Sequence, residues 1–156
     1  MFSISVDDSV ANVLNAEELT RLQTQLERMI AAAWLSEGTE RELEADLRLC
    51  DDSLIHQLNR DYRGKDKPTD VLAFAQREGE GGELCPEILG DIVVSLQTAD
   101  AQAKEGLYSE VAFLCAHGLC HLLGYDHQDD EEELQMNQRM TALLAESLKS
   151  GEVQAA

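Results

Sequence analysis

The stretch that most constrains this chain covers residues 116–127 and reads A-H-G-L-C-H-L-L-G-Y-D-H. It holds three of the protein's four histidines. If the segment before Gly124 is helical, His117 and His121 lie one turn apart on one face, with Cβ atoms about 5–6 Å apart. Gly124 can adopt the positive φ that ends a helix. The chain can then reverse, which predicts that His127 returns toward the first two histidines from outside the helix.

Three imidazoles gathered in this way predict a site for one metal ion. Three neutral nitrogens around a tetrahedral ion leave the fourth position for water, which is typical of catalytic zinc sites. The spacing is also that of the zinc hydrolases with the motif H-E-x-x-H-x-x-G-x-x-H. Those peptidases carry their general base directly after the first histidine, where this chain has Gly118. The sequence therefore keeps a zinc peptidase's metal geometry without its proton acceptor.

Three segments of the chain resemble one known family. The motif at residues 117–127 resembles the H-G-x-L-H-L-x-G-Y-D-H signature of the YbeY family of bacterial metal-dependent endoribonucleases. Residues 59–74, N-R-D-Y-R-G-K-D-K-P-T-D-V-L-A-F, resemble a second signature of that family, and residues 89–92, L-G-D-I, resemble a third. Cys120 and Ala73 depart from the leucine and the serine that are usual there. The resemblance spans residues 47–140.

This resemblance implies a substrate, partners and a fold. It implies a ribosomal RNA maturation factor that acts on the 3′ end of precursor 16S rRNA and in ribosome quality control, with the ribosome and its associated proteins as partners. It also implies a small mixed sheet, with the metal site at the end of the helix that carries His117. Arg63 occupies the position of the family's functional arginine.

Length and composition predict one soluble domain. The chain has 156 residues, of which 44% are hydrophobic, enough to bury a core. We predict a single metallohydrolase domain over residues 1–156, with a frayed tail at 150–156. No run of 18 apolar residues exists, which argues against a membrane span. The N-terminus lacks the basic start and apolar run of a signal peptide, so we expect a cytoplasmic protein.

The charge of the chain argues against an RNA substrate at first sight. The formal net charge is −19, and a strongly acidic protein repels nucleic acid on average. However, four of the twelve basic residues fall within eight positions: Arg60, Arg63, Lys65 and Lys67. Because the Debye length at physiological salt is about 8 Å, a local basic rim can bind RNA while distant acids are screened. We therefore predict these four residues to be the RNA-binding ones.

The apolar pattern predicts an α+β fold with about four strands and about five helices in a mixed α/β layer. Strands are predicted at residues 2–6, 42–49, 70–75 and 91–96, and helices at about 16–34, 51–62, 96–104, 108–123 and 130–149. Asn15 and Glu18 form a predicted capping box before the first helix. The order of elements predicts a mixed sheet with helices on one or both faces, and the zinc site at the C-terminal end of a core helix.

Three further features have plain structural interpretations. Residues 76–87 are glycine-rich and acidic, which predicts a flexible loop that is a hairpin connection or, alternatively, a lid. His56 is predicted to be a solvated helix histidine, with a substrate-facing role as the alternative. Cysteines 50, 85, 115 and 120 show no C-x-x-C pairing, so we expect free thiols that act as small core residues rather than disulfides or metal ligands.

The candidate chemistry is hydrolysis of an RNA phosphodiester. Zinc lowers the pKa of bound water toward ~7, and metal occupancy should fall as pH drops through the imidazole range near ~6.5. Arg63 is the predicted catalytic cation, because a guanidinium matches two phosphate oxygens. Asp126 is predicted to orient a ligand histidine, with proton acceptance or a helix-end cap as alternatives. Whether water or the RNA 2′-hydroxyl attacks stays open.

The predicted function is a zinc-dependent endoribonuclease selective for single-stranded RNA. Only 4% of the residues are aromatic, so the chain is expected to lack the stacking platform of a dedicated single-strand binder. Affinity for naked RNA should then be modest, and substrate choice should depend on the ribosome or partner proteins. The alternatives are a zinc metallopeptidase, disfavoured by Gly118, and a non-catalytic zinc-containing ribosome assembly factor.

Overall fold

The computed structural model describes residues 1–79 and 81–149. In this part of the chain four strands and five α-helices form an α+β fold, as the sequence predicts. The strands are β1 (Phe2–Val6), β2 (Glu44–Cys50), β3 (Val71–Ala75) and β4 (Ile88–Ser95). The helices are α1 (Ala16–Glu37), α2 (Asp52–Arg63), α3 (Leu96–Gln102), α4 (Leu107–Leu122) and α5 (Asp130–Ser147).

The sheet is mixed, with the strand order β1-β2-β4-β3. β1, β2 and β4 run parallel, and β3 runs antiparallel to β4. The predicted hairpin connection between β3 and β4 is therefore confirmed. Because β4 lies between β2 and β3, β3 becomes an edge strand, and α4 packs beside it.

Local sequence signals explain most element boundaries. The Asn15 side chain accepts a hydrogen bond from the Glu18 backbone at 2.8 Å, and the Glu18 carboxylate accepts one from the Asn15 backbone at 3.1 Å. This confirms the predicted capping box at the start of α1. The helix continues three residues beyond its predicted end at Trp34, and Gly38, with φ of 69°, ends it. The left-handed conformation at Gly38 is one that glycine adopts without steric cost.

Helices cover the two sheet faces unequally. One face of the sheet forms the main core with α1, α4 and α5, and its largest buried side chains include Leu22, Leu26, Leu47, Ile92 and Leu119. The opposite face carries a smaller cluster under α2, formed by Cys50, Ile55, Leu72 and Val93. α2 therefore covers only part of this second face. The metal-ligand helix is fixed in the main core, while the end of α2 stays near solvent.

The connection between β3 and β4 is more ordered than predicted. Two 3-10 turns, at Gln76–Glu78 and Gly82–Leu84, lie within it. The Arg77 side chain donates to the Pro86 carbonyl at 2.9 Å and to the Glu37 carboxylate at 2.6 Å, which ties the connection to the end of α1. Whether this segment also acts as a lid stays a prediction.

The cysteines are predicted to be free thiols and to lie in the core. All four are free thiols, as predicted. Cys50, Cys115 and Cys120 are buried, and burial raises the pKa of the Cys115 thiol to about 12. Cys85 is exposed, so its predicted place in the core is wrong. The reason is its position in the turns before β4, away from any packed face.

No helix in the described ranges is long and apolar enough to cross a membrane. The frayed tail predicted at 150–156 lies outside the described residues. A single domain over residues 1–156 stays a prediction.

Candidate metal centre

Helix α4 holds the first two histidines of the motif. Its buried residues include Val111, Leu114, Ala116 and Leu119, so the helix is fixed on the sheet by apolar packing. His117 and His121 lie one turn apart, and their Nε2 atoms are 3.2 Å from each other. An ion bonded tetrahedrally to two imidazoles at about 2.0–2.1 Å separates their nitrogens by about 3.3 Å. The pair therefore already has the spacing that such an ion requires.

A reversal after α4 brings in the third histidine. Gly124 has φ of 100°, the predicted positive value, and its backbone donates to the His121 carbonyl at 3.0 Å. One ligand nitrogen from each of His117, His121 and His127 lies within 4.8 Å of the other two. His127 is the exposed member of the group, and the other two are partly buried. The three histidines together could hold a metal ion.

The protonation of the two helix histidines, His117 and His121, suits metal binding. Burial, reinforced by the charges of His121 and His127, lowers the pKa of His117 to about 4, although the Asp70 carboxylate opposes the shift. Burial and the charge of His127 also lower the pKa of His121. An imidazole whose pKa is lowered is neutral at pH 7, and the neutral form is the one that binds metal.

The histidines lie in an open cleft that also contains Arg63. The cleft has a volume of about 610 Å³, and the edge strand β3 and the end of α2 form its other walls. Arg63 is the last residue of α2, and Gly64, with φ of 68°, ends the helix behind it. The Arg63 charge is one of the causes that lower the pKa of His121. No ion pair neutralises Arg63 within residues 1–79 and 81–149.

The other three predicted RNA-binding cations lie outside the walls of the cleft. Arg60 is exposed and forms an ion pair with Asp61 at 3.2 Å. Lys65 and Lys67 are exposed on the turn after α2. The structure therefore places Arg63 with the triad and leaves the remaining cations outside the lining of the cleft.

Comparison with known proteins gives this site a family. The sequence model of the family described as endoribonuclease YbeY matches residues 9–148. The chain belongs to the YbeY endoribonuclease family. The endoribonuclease YbeY of Pelotomaculum thermopropionicum is 48% identical over 134 residues, which cover 82% of this chain and 86% of that protein. The endoribonuclease YbeY of Bacillus subtilis is 39% identical over 150 residues, covering 90% and 92%.

A solved structure also resembles this YbeY fold. The solution structure of a Thermotoga maritima protein matches with a TM-score of 0.61 and covers 99% of this chain and 93% of its own. Its sequence identity is 24%, so the likeness concerns the fold. The family resemblance inferred from the three sequence signatures and the predicted α+β fold are both confirmed.

Asp126 contacts the backbone of the YbeY motif next to its third histidine. Its carboxylate accepts hydrogen bonds from the His127 backbone at 2.8 Å and from the Gln128 side chain at 3.0 Å. These bonds, the first above all, lower the pKa of Asp126. Among residues 1–79 and 81–149 the carboxylate accepts no hydrogen bond from an imidazole, and its predicted role in orienting a ligand histidine stays a prediction. Asp126 therefore fixes the backbone of the turn that carries His127.

His56, the histidine outside the YbeY motif, has a structural partner. Its Nε2 lies 2.7 Å from a carboxylate oxygen of Asp66. His56 is on α2 and Asp66 is on the turn that follows α2, so the contact joins the helix to the basic turn. His56 is not among the residues that line the metal cleft.

Sequence reasoning missed two polar residues near the site. Asp70 lines the cleft and influences His117 electrostatically, while the Gln102 amide donates to its carboxylate at 2.8 Å. Asn59 is 1% exposed, and its side chain donates to the Lys67 carbonyl at 2.8 Å. Both lie in the second YbeY signature at residues 59–74, which was the available signal. The role of Asp70 depends on a contact with Gln102, 32 positions further along the chain.

Gly118 lies where α4 packs against the sheet. A Cβ atom added to Gly118 would lie 2.8 Å from the Ile92 side chain. Real Cβ atoms essentially never approach other atoms so closely, so any side chain here requires α4 or Ile92 to move. The position that carries the general base in zinc peptidases is therefore occupied by a packing glycine in this YbeY chain.

Proposed function

We propose that this chain is a zinc-dependent endoribonuclease that hydrolyses phosphodiester bonds of single-stranded RNA. The observation that carries the proposal is the convergence of three histidines and of Arg63, which has no ion-pair partner among the described residues, in a single open cleft. Membership of the YbeY endoribonuclease family supports RNA as the substrate.

Zinc is the proposed ion because of the donor set. Three imidazole nitrogens, without a thiolate or a carboxylate, match the ligands of well-known catalytic zinc sites. His117, His121 and His127 would hold the ion. Bound zinc would supply a water whose pKa is lowered to about 7 and would polarise a phosphoryl oxygen.

The residues of the chain then bind the RNA and stabilise charge. Arg63 would contact the non-bridging oxygens of the scissile phosphate, where negative charge grows as a fifth oxygen approaches phosphorus. A guanidinium is suited to this role because it donates two parallel hydrogen bonds and does not lose its proton near neutral pH. Arg60, Lys65 and Lys67 would bind neighbouring phosphates and set the position of the strand. Asp126 would keep the turn that presents His127 in place.

The biological role follows from the family rather than from the cleft. We propose that the chain matures the 3′ end of 16S rRNA and acts in ribosome quality control. Its partners would then be the ribosome and ribosome-associated proteins, and it would work in the cytoplasm. Membership of the YbeY family supports each of these statements.

Two alternatives to a nuclease are less consistent with the structure. A zinc peptidase needs a general base that contributes about 10²–10⁴-fold, and the packing of Gly118 against Ile92 leaves no room for one. A non-catalytic assembly factor would need no open cleft beside its metal. Here the exposed His127 borders a cleft of about 610 Å³.

One experiment separates these functions. The zinc-loaded protein and its His121→Ala variant are incubated with single-stranded RNA, duplex RNA and casein. We expect the wild type to cleave single-stranded RNA, the variant to be inactive, and casein to stay intact. Cleavage of casein would support the peptidase. Absence of all cleavage by fully loaded protein would support the assembly factor.

A further inference from the structure

An exposed aromatic ring lies directly beside the proposed catalytic arginine. Tyr62, which precedes Arg63 at the end of α2, is 69% exposed. Its ring contacts the Phe74 ring at a centroid distance of 5.3 Å and an interplanar angle of 73°, an edge-to-face arrangement. Such contacts are favourable for aromatic pairs. The Phe74 contact therefore holds the orientation of a ring that is otherwise largely open to solvent.

The Tyr62–Phe74 pair separates two cavities. Both rings line the metal cleft, and both also line a groove of about 580 Å³ on the sheet face that α2 leaves partly uncovered. An RNA strand that leaves the metal cleft toward this groove must pass over the Tyr62 ring.

The charges on either side of the ring set the orientation of such a strand. Arg48 lines the groove but is paired with Asp7 at 2.9 Å. Asp46 and Asp91, which are register partners on β2 and β4, also line it. Their carboxylates repel phosphates, whereas the unpaired Arg63 on the cleft side attracts them. The phosphate backbone is therefore expected on the Arg63 side, with the bases turned toward the ring.

We propose that Tyr62 stacks on the base next to the scissile phosphate and that this contact underlies selectivity for single-stranded RNA. The inference rests on the proposed nuclease function. A base within a duplex is already stacked and paired on both sides, so only an unpaired base can present its face to Tyr62. The predicted lack of a stacking platform is based only on the small number of aromatic residues in the chain. The structure places one of those few residues beside the catalytic site.

The first test compares two substitutions at one position. Tyr62→Phe keeps the ring and Tyr62→Leu removes it, while Phe113→Leu removes another exposed ring outside both cavities. Stacking of one base on an aromatic side chain stabilises bound RNA, so its loss in Tyr62→Leu should raise KM by about 5- to 100-fold. The kcat should change by less than about threefold, because Arg63 and the triad remain. Tyr62→Phe and Phe113→Leu should stay within about twofold of the wild type.

The second test uses the substrate, so it does not depend on the folding of a variant. The wild-type cleavage site is mapped, and the base next to it is removed to leave an abasic nucleotide. The abasic RNA should raise KM for the wild type as much as Tyr62→Leu does with intact RNA. Combining the two changes should add little, because both remove the same contact. Full additivity of the two losses, or an unchanged KM for Tyr62→Leu, would overturn the proposal.

A binding measurement separates base stacking on Tyr62 from cleavage of the RNA. RNA with 2-aminopurine at the mapped position, or at successive positions if the wild type cuts nothing, is added to metal-free protein. We expect quenched fluorescence with the wild type and Tyr62→Phe and none with Tyr62→Leu. Quenching without cleavage by zinc-loaded protein would remove the nuclease function and keep the stacking contact. Cleavage by the wild type with quenching unchanged in Tyr62→Leu would remove Tyr62 and keep the nuclease.

Discussion

The ends of α4 and α2 meet at the same cleft, but they are built in opposite ways. Most of α4 is buried, whereas on α2 only Ile55 and Asn59 are. Both helices are followed by a glycine with positive φ, Gly124 after α4 and Gly64 after α2. The buried helix carries His117 and His121, whose nitrogens would have to keep fixed separations around one ion. The exposed helix carries Arg63, which in the proposed function reaches a phosphate that arrives from solvent.

The largest expected effect tests the role of the α4 end. We expect His117→Ala to lose the bound metal and at least about 10³-fold in RNA cleavage, because a catalytic ion contributes several kcal/mol to charge stabilisation. Metal content is measured by plasma emission spectroscopy and cleavage by initial rates. His56→Ala, which changes the histidine outside the cleft, is the matched control and should retain its metal. Equal metal loss in both variants would contradict the assignment of the triad.

The next effect tests the role of the α2 end. Arg63→Ala should retain the metal and lose about 10²–10³-fold in kcat, the scale for removing one donor that stabilises transition-state charge. Arg63→Lys should recover part of this loss, because it restores the charge without the paired geometry. Arg41→Ala, at an exposed arginine outside the cleft, controls for net charge. If Arg63→Ala changed only KM, the arginine would bind RNA without assisting the reaction.

A pH series tests how burial of the histidines on α4 affects metal release. Protons compete with metal only below the pKa of each imidazole, and burial lowers the pKa of His117 to about 4 and that of His121 in the same direction. Metal held by His117 and His121 should therefore stay bound below ~6.5, the range in which the sequence alone predicts its loss, and leave as pH approaches 4. Dialysis at a series of pH values, followed by metal analysis, measures this release. Complete release already at pH 6.5 would show that burial does not protect the site.

The smallest expected effects compare the two glycines. A Cβ atom at Gly64 or Gly124 meets nothing within 4 Å, so alanine at either position adds only backbone strain. That strain should lower the free energy of unfolding by about 1–2 kcal/mol in each variant, measured by urea denaturation. The functional results should differ. Gly124→Ala should weaken metal binding, and Gly64→Ala should raise KM for RNA without changing metal affinity.

Local patterns in the sequence predicted much of the fold and of the metal centre. Histidine spacing and Gly124 indicated the triad, the Asn15 and Glu18 pair indicated the start of α1, and the alternation at residues 42–49 indicated β2 at nearly its observed bounds. Each signal lies within about a dozen residues, so it can be read before the chain folds.

Other features depend on contacts that no local pattern contains. The insertion of β4 between β2 and β3 brings Ile92 against Gly118 and makes β3 the wall of the cleft. The contact of Gln102 with Asp70 joins residues 32 positions apart. The exposure of Tyr62 and its contact with Phe74 likewise follow from tertiary packing. Composition shows how few aromatic residues the chain has but not where they lie.

The buried amide of Asn59 has a consequence for how ionic strength acts on the protein. The side-chain NH2 of this uncharged group donates to the Lys67 carbonyl, and the backbone carbonyl of Asn59 accepts from the Lys65 backbone at 3.2 Å, so both bonds hold the chain after α2. Added salt screens charges but leaves neutral buried hydrogen bonds largely unaffected. Concentrated electrolyte should therefore weaken capture of the polyanion while the guanidinium stays in position. In a salt titration, this would be measured as a rising KM at constant kcat.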